Sequence, residues 1–381
     1  MREGWEYKKL GDACIVERGS SPRPIRDYIT DSEDGVNWIK IGDTNKNEKY
    51  VTSTKQKITK KGAEKSRFVE VGDFILSNSM SFGRPYIMKV SGYIHDGWFV
   101  LRLPKDINSD YFWYLLSSPL LIEQFNLLAA GAIVKNISGD LVKKAELPIP
   151  PLPEQKQIVA ILDKAFSAIH QAKANIEKNI QNAKDLLLSS KNKIFMSLEN
   201  NMVQLPTICK EIFAGGDAPK NNMSKFKTSK YDIPIIANAV KDNGLYGYTD
   251  KARVIEPSIT IAARGSGTGH TEIRKEPFLP IVRLIVLTPN LELISLEFLK
   301  YSIKNLTISK SGSAIPQLTI PMIKSYYLSI PSLEKQKTIV TKLSELDKKA
   351  ENYNLINMNK ISILEELKKS ILQKAFAGEL I

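Results

Sequence analysis

The sequence predicts an α+β protein built twice. Two globular α/β domains are joined by two long α-helices that pair as an antiparallel coiled coil, and the halves are related by an internal pseudo-twofold repeat. Three observations carry this expectation. First, LPIPPLPEQKQIVAILD (147–163) returns from Leu328 as LSIPSLEKQKTIVTKLSELD, with Leu147, Pro150, Leu152, Gln155, Ile158 and Val159 each matched 181 residues later. An ungapped spacing over so many positions marks a duplication. Second, each copy opens a long stretch of heptad character. Third, the intervening segments are rich in short β-like runs separated by turn signals. The expected boundaries are 1–152 for the first domain, 153–200 for the first helix, 201–333 for the second domain and 334–381 for the second helix.

In the first domain, VNWIKI (36–41), residues 68–71, DFIL (73–76) and WFVLRL (98–103) read as strands. Residues 110–128 carry apolar side chains at helical spacing and predict one or two helices; GAIVKNIS (131–138) reads as a loop. The first long helix has its seam at Ile158, Leu162, Ala165, Ile169, Ala172, Ile176, Ile180, Ala183, Leu187, Ser190 and Ile194, with one extra four-residue step at 176–180. The second domain repeats the landmarks: IPIIANA (233–239) for WIKIGD, PSITIAARGSGTG (257–269) for GDFILSNSMSFGR (72–84), and GSAIPQLTIPMI (312–323) for GAIVKNISGDLV (131–142). The second helix repeats the seam from Ile339 to Ala375, with Asn357 and Lys368 as polar members. Two helices with narrow apolar stripes bury them most simply against each other.

With 43% hydrophobic and 25% charged residues the chain is ordinary globular protein. It has no apolar run near the roughly 18 residues that span a bilayer, and MREGWEYKKL lacks a signal-peptide core, so a cytoplasmic location without membrane contact is expected. Cys14 and Cys209 fall at matching places in the halves, where buried reduced thiols fit that compartment; they and three scattered histidines give no zinc spacing. The net charge is +13, distributed as +3, +2, +6 and +2 over 1–152, 153–200, 201–330 and 331–381. Such an excess suggests a polyanionic partner, with simple solubility as the bland alternative.

Four groups of residues have the chemistry to meet nucleic acid. Gly19, Ser20, Ser21, Arg23 and Arg26 combine small residues, which allow backbone approach, with arginines that suit phosphate or guanine, or form a solvated loop; residues 215–220, ending in Lys220, with Lys225 and Lys227 are the second-half counterpart. SNSMSFGR supplies Asn78, Ser79, Ser81 and Arg84, and AARGSGTGH supplies Arg264, Ser266, Thr268 and His270. Lys135 and Asn136 precede the first proline cluster, and Gln317 aligns with Asn136; such amides suit adenine, or cap an ordinary turn. The run Lys55, Lys57, Lys60, Lys61, Lys65 and Arg67 suits phosphate, or is a solvated face, and Tyr246 and Tyr248 beside Lys241 could pack on sugar or bases. The glycine-rich run 265–269 lacks the GK[ST] ending of a nucleotide loop.

The order domain, helix, domain, helix with PLPEQ-type helix entries resembles the specificity subunit of type I restriction–modification systems. The resemblance is carried by 147–162 and 328–343, by GAIVKNIS and GSAIPQLT, by the ending KAFAGEL (374–380) and by the opening WEYKKLGDACIVERGSSPRP (5–24), and it covers the whole chain. It implies two target-recognition domains, each reading half of a split site in double-stranded DNA, and a coiled coil that fixes the gap and docks two methyltransferase subunits. Gln155, Lys156, Gln336 and Lys337 at the two helix entries are the expected partner contacts. The resemblance implies no active site or cofactor in this chain: S-adenosylmethionine would sit in the methyltransferase subunits, and ATP with Mg in a motor and nuclease subunit. No Asn/Asp-Pro-Pro-aromatic motif, Pro-Asp…Glu-x-Lys motif or GxxxxGK[ST] is present. Two alternatives stay open at this point: a fused DNA-modifying enzyme with an unfamiliar active site, and a coiled-coil scaffold whose domains bind protein or RNA.

Overall fold

The computed structural model describes residues 2–45, 48–78, 83–128, 137–198, 201–265, 267–306 and 317–380. The chain divides into two compact units, and these cut across the four segments expected from the sequence. One comprises Met1–Ile176 with Met358–Ile381, the other Glu177–Asn357. Each unit holds one globular domain and half of each long helix. The reason is packing: each domain closes its core on the start of the helix that follows it and the end of the other.

In the first unit, strands Glu6–Lys9 and Glu146–Ile149 pair antiparallel and bring the domain's two ends together. One five-stranded sheet runs in the order Ile15–Arg18, Trp98–Arg102, Phe74–Ser77, Pro85–Met88, Tyr50–Val51. The other runs Ile29–Thr30, Gln56–Ile58, Val36–Ile39, Gly92–Ile94, Arg67–Val69. Helices Ser109–Leu116 and Pro119–Leu128 occupy the stretch read as helical. Phe74, Phe99, Tyr111, Phe112, Leu115 and Phe125 are buried in one cluster with Ile158, Val159 and Leu162 of the first long helix and Leu372, Ala375 and Phe376 of the second. Near 25 cal/mol per Å² of apolar area, this shared core holds the helix ends to the domain.

The second unit repeats the plan with a smaller domain. Met202–Gln204 pairs with Tyr327–Ser329, as the end strands do in the first unit. Its sheets have four strands each: Cys209–Ala214, Ile285–Pro289, Ser258–Ile261, Thr271–Arg274, and Met223–Ser224, Leu245–Thr249, Ile233–Ile236, Leu279–Pro280. Helix Leu296–Asn305 stands where Ser109–Leu116 stood. The core closes on Ile339 and Leu343, with Ile194, Phe195 and Leu198 packed against it. Cys14 is buried and Cys209 half-buried; both thiols are free, and burial pushes each up to about 12.

The long helices run Leu152–Met196 and Leu333–Ala377. Within the first, all eleven seam residues are buried or half-buried. Within the second, Tyr353 and Lys368 are exposed, Lys368 resting its ammonium over the Phe166 ring at 5.1 Å. Asn357 is buried and its amide donates to the Tyr353 carbonyl at 2.8 Å. Inside each unit the helix halves run antiparallel: Lys173 pairs with Glu365 in one and Lys191 with Asp347 in the other. The second helix stops at Gly378, whose φ of +76° suits glycine. There the Glu379 N–H bonds to the Lys374 carbonyl and the Gly378 N–H to Ala375. The KAFAGEL ending is thus a helix cap, and Leu380 packs back on the core. Among the described residues no helix is long and apolar enough to cross a membrane, and no group of His, Cys, Asp or Glu could hold a metal ion.

Candidate nucleic-acid interface

In the first unit the loops at one end of the sheets converge on a single turn, His95–Gly97. Gly19 leaves strand Ile15–Arg18 and donates to the Trp98 carbonyl at 2.8 Å. A Cβ there would stand 2.2 Å from the His95 carbonyl oxygen, so only glycine fits. The chain then turns over Asp96. The Ser21 hydroxyl donates to one Asp96 oxygen at 2.8 Å, and Arg23 reaches the other at 3.2 Å. Asn78, from the hairpin between Phe74–Ser77 and Pro85–Met88, donates to the Asp96 carbonyl at 2.7 Å. Burial pushes the Asp96 carboxyl up, but Ser21, the neighbouring His95 and Arg23 outweigh it and hold it below the usual range. Burial lowers His95, against the pull of Asp96. Ser21–Ile25, Trp38, Lys40, His95 and Asp96 line an open cavity of about 760 Å³.

The structure therefore brings the first two predicted groups together in this unit, and it sorts them. Arg23 and Arg26 are exposed, Arg26 beside Asp27 at 3.6 Å. Ser20 and Ser21 serve the loop, Ser20 donating to the Lys65 carbonyl at 3.0 Å. Asn78 is 3% exposed and its amide nitrogen donates to the Asp96 carbonyl, so in this structure it supports the loop. Arg84 is half-buried at the foot of the same hairpin, its N–H on the Ser77 hydroxyl at 3.1 Å. Ser79, Ser81, Lys135, Asn136 and Ser266 lie outside the described residues. Lys55, Lys60, Lys61, Lys65 and Arg67 are exposed on the second sheet and the turn beside it, and Lys57 is half-buried.

The second unit builds the equivalent end. Gly215 donates to the Leu284 carbonyl at 2.8 Å as Gly19 does to Trp98, and a Cβ would meet the Pro280 backbone at 2.6 Å. Here Val282 and Arg283 occupy the turn, with φ of +53° and +60°. Arg264 is exposed and forms an isolated bridge with Gln317, so two residues 53 positions apart in the sequence meet. The Asn238 amide fixes this strand, donating to the Arg264 carbonyl at 2.9 Å and accepting from the Ala263 N–H. The Thr268 hydroxyl donates to the Gly265 carbonyl at 2.7 Å, so the described residues of the glycine-rich run form a turn. His270 takes the backbone place of Arg84, its carbonyl accepting from Ala262 at 2.8 Å, and lies 3.4 Å from Glu272. Burial raises the Glu272 carboxyl, but the Lys300 hydrogen bond at 2.8 Å and the charges of Lys300, His270 and Lys304 outweigh it, and the net shift is downward. Lys220, Lys225, Lys227, Lys241 and Tyr246 are exposed.

Sequence reasoning missed Trp38, Lys40, His95 and Asp96, and Asn238 with Val282 and Arg283. The His95-Asp96-Gly97 turn was a legible signal, since Asp-Gly marks a turn; its place over residue 21 was not. The structure also corrects Gln155 and Gln336 as partner contacts. They are 1% and 0% exposed, and their amides are satisfied within their own units. Lys156 and Lys337 beside them are exposed.

Glycine at positions 19 and 215 gives a direct check. Gly19→Ala and Gly215→Ala should each cost about 1–3 kcal/mol, because a backbone group must move to admit the methyl. Chemical denaturation measures it; unchanged midpoints would show that the turns are looser than the distances above indicate.

A model of the type I restriction modification DNA specificity domain matches residues 2–182 and again 199–360. Among relatives, the Mycoplasma pneumoniae protein S.MpnORF507P, named for a type I specificity subunit, is 33% identical over 247 residues, 64% of this chain and 65% of its own length. The chain thus spans just under two thirds of that relative. S.MpnORF89P of the same organism, named likewise, is 32% identical over 64% of this chain and 74% of its own length. The type I restriction enzyme MjaIX specificity subunit of Methanocaldococcus jannaschii is 24% identical over 99% of this chain and 93% of its own. The fold is shared with the HsdS subunit from Thermoanaerobacter tengcongensis, at a TM-score of 0.62 and 18% identity over 100% of this chain and 98% of that one. It is also shared, at 0.79 and 18% over 100% and 99%, with a chain from a structure of a type I R-M system described for its complex assembly and conformational transition. With two copies of the family domain matched over most of its length, the chain belongs to the type I restriction–modification DNA specificity family.

Proposed function

We propose that each globular domain reads one half of a bipartite site in double-stranded DNA, and that the two long helices set the gap between the halves. The observation that carries this reading is the repeated but chemically different loop end. Both units place a close-approach glycine, a sheet hairpin and exposed cations at the same end of the domain. Between those fixed points the side chains differ: Asp96 and Arg84 in one unit, Val282 and His270 in the other. A common frame with different polar edges suits two different half-sites, since base edges are told apart by donor and acceptor pattern and phosphates are not.

The exposed Lys55, Lys60, Lys61, Lys65 and Arg67, with Lys220, Lys225 and Lys227, would neutralise backbone phosphate, with the salt dependence that implies. The chain performs no chemistry itself. It docks two methyltransferase subunits through the exposed flanks of its helices, near Lys156 and Lys337, and those subunits bring S-adenosylmethionine. A motor and nuclease subunit, with ATP and Mg, joins where restriction accompanies modification. Such an assembly works in the cytoplasm.

Arg84→Ala should relax base preference in one half-site and Arg264→Ala in the other, each by about 1–3 kcal/mol at the position read. Methylation of a randomised duplex library by the assembled complex gives both preferences at once. An equal loss in the two halves would contradict two independent readers. Robust methyl transfer by the isolated chain would contradict the absence of chemistry.

A further inference from the structure

Gln155 and Gln336 are fully engaged in the same way. The Gln155 amide nitrogen donates to the Pro150 carbonyl at 2.8 Å and the Asp106 carbonyl at 3.2 Å; its oxygen accepts from the Asn108 N–H at 2.7 Å. The Gln336 nitrogen donates to the Pro331 carbonyl at 2.9 Å and the Leu293 carbonyl at 2.8 Å; its oxygen accepts from the Ser295 N–H at 2.8 Å. Every hydrogen-bonding direction of the amide nitrogen is used. Asn108 and Ser295 are themselves the N-caps of helices Ser109–Leu116 and Leu296–Asn305. Each glutamine thus ties the first turn of its long helix to the start of a domain helix.

A second tie lies further along the same helices. The Tyr114 hydroxyl donates to Asp163 at 2.5 Å, and the Tyr301 hydroxyl to Asp347 at 2.9 Å. Both tyrosines are the sixth residue of their domain helix. The ties stand 8 residues apart on the first long helix and 11 on the second, roughly 12 and 16 Å at 1.5 Å per residue. One tie leaves a swivel. Two separated ties fix the rotation of the domain helix on the long helix, and the domain with it.

We infer that Gln155 with Tyr114–Asp163, and Gln336 with Tyr301–Asp347, are positioning clamps that set how strictly the gap between half-sites is measured. The inference rests on the proposed reading of the helices as a ruler. A buried apolar contact can slide and rotate with little cost, whereas a buried amide that loses a partner is left unsatisfied. A clamp of this kind converts a fixed helix length into a fixed register on DNA, where one base pair is about 3.4 Å of rise and a tenth of a turn.

The experiment uses the full chain assembled with its methyltransferase subunits and duplexes carrying the two half-sites at the native gap and at one and two base pairs either side. The double variants are Gln155→Met with Gln336→Met, and Tyr114→Phe with Tyr301→Phe, the latter keeping the fold because only two hydroxyls are lost. Ile158→Val with Ile339→Val serves as a packing control. For the wild type, methylation should fall about tenfold or more at one base pair off, the scale of a misplaced contact. Both clamp variants should narrow that ratio to about threefold or less, with half-site base preferences unchanged and the packing control still strict. A wild type indifferent to the gap would sink the ruler reading itself. A strict wild type with equally strict Tyr→Phe variants would overturn the clamp alone; should the Gln→Met pair misfold, that outcome still decides.

Discussion

Removal of residues 170–183 and 351–364 should shorten the preferred gap by about six base pairs. Fourteen residues of α-helix are roughly 21 Å, and B-DNA rises about 3.4 Å per base pair. These cuts remove the steps 3, 4, 4 and 3 from each seam, joining Ile169 to the position after Ala183 and Ala350 to the position after Leu364. The extra four-residue step now falls at each junction, the order of apolar contacts on either side survives, and neither core loses a residue named above. Methylation of the native-gap duplex should drop at least about a hundredfold, because one reader loses its half-site. Activity should return on a duplex with the shortened gap. Retention of the original gap would show that the helices do not measure it.

The second large effect is on stability. Phe376 is buried against Tyr111 at a ring separation of 5.5 Å, and the Tyr111 hydroxyl donates to the Pro148 carbonyl at 2.8 Å. Phe376→Ala should cost about 3–5 kcal/mol, as expected where a buried aromatic leaves a cavity. Its repeat partner Phe195, 181 residues earlier, is half-buried and meets Phe298 at 6.2 Å. Phe195→Ala should therefore cost less. Chemical denaturation of the two variants tests the order, with the two units followed separately since the chain need not unfold in one step. A larger loss at Phe195 would contradict the burial difference between the units.

These expectations show which parts of the fold were legible in the residues. The seam from Ile158 to Ile194 was readable one position at a time, because a helix buries a stripe whose spacing is set by its own geometry. The strands at 36–39, 74–77 and 98–102 were readable from β-branched and aromatic runs. Tyr353 and Lys368 show the limit: their seam positions are legible, but their exposure depends on what faces them.

The candidate interface was legible by type and obscure by partner. Arg23, Arg264 and the lysines stand exposed, as charged residues in glycine-rich loops commonly do. Asn78, Gln155 and Gln336 look like surface polar residues in the sequence. They are buried where their amide nitrogens donate to carbonyls of distant segments, Asp96, Asp106 and Leu293. Asp96 itself was missed for the same reason: its role comes from Ser21 and Arg23 arriving 75 and 73 residues away in sequence. Long-range polar pairing leaves no periodic trace in a sequence, whereas helical and strand burial does.

The most direct test of two readers on one ruler is a genome-wide map of methylated sites in a host carrying this chain with its methyltransferase subunits. One asymmetric motif of two specific blocks separated by a constant run of unspecified bases is expected. A continuous motif, or two blocks at freely varying distance, would contradict it.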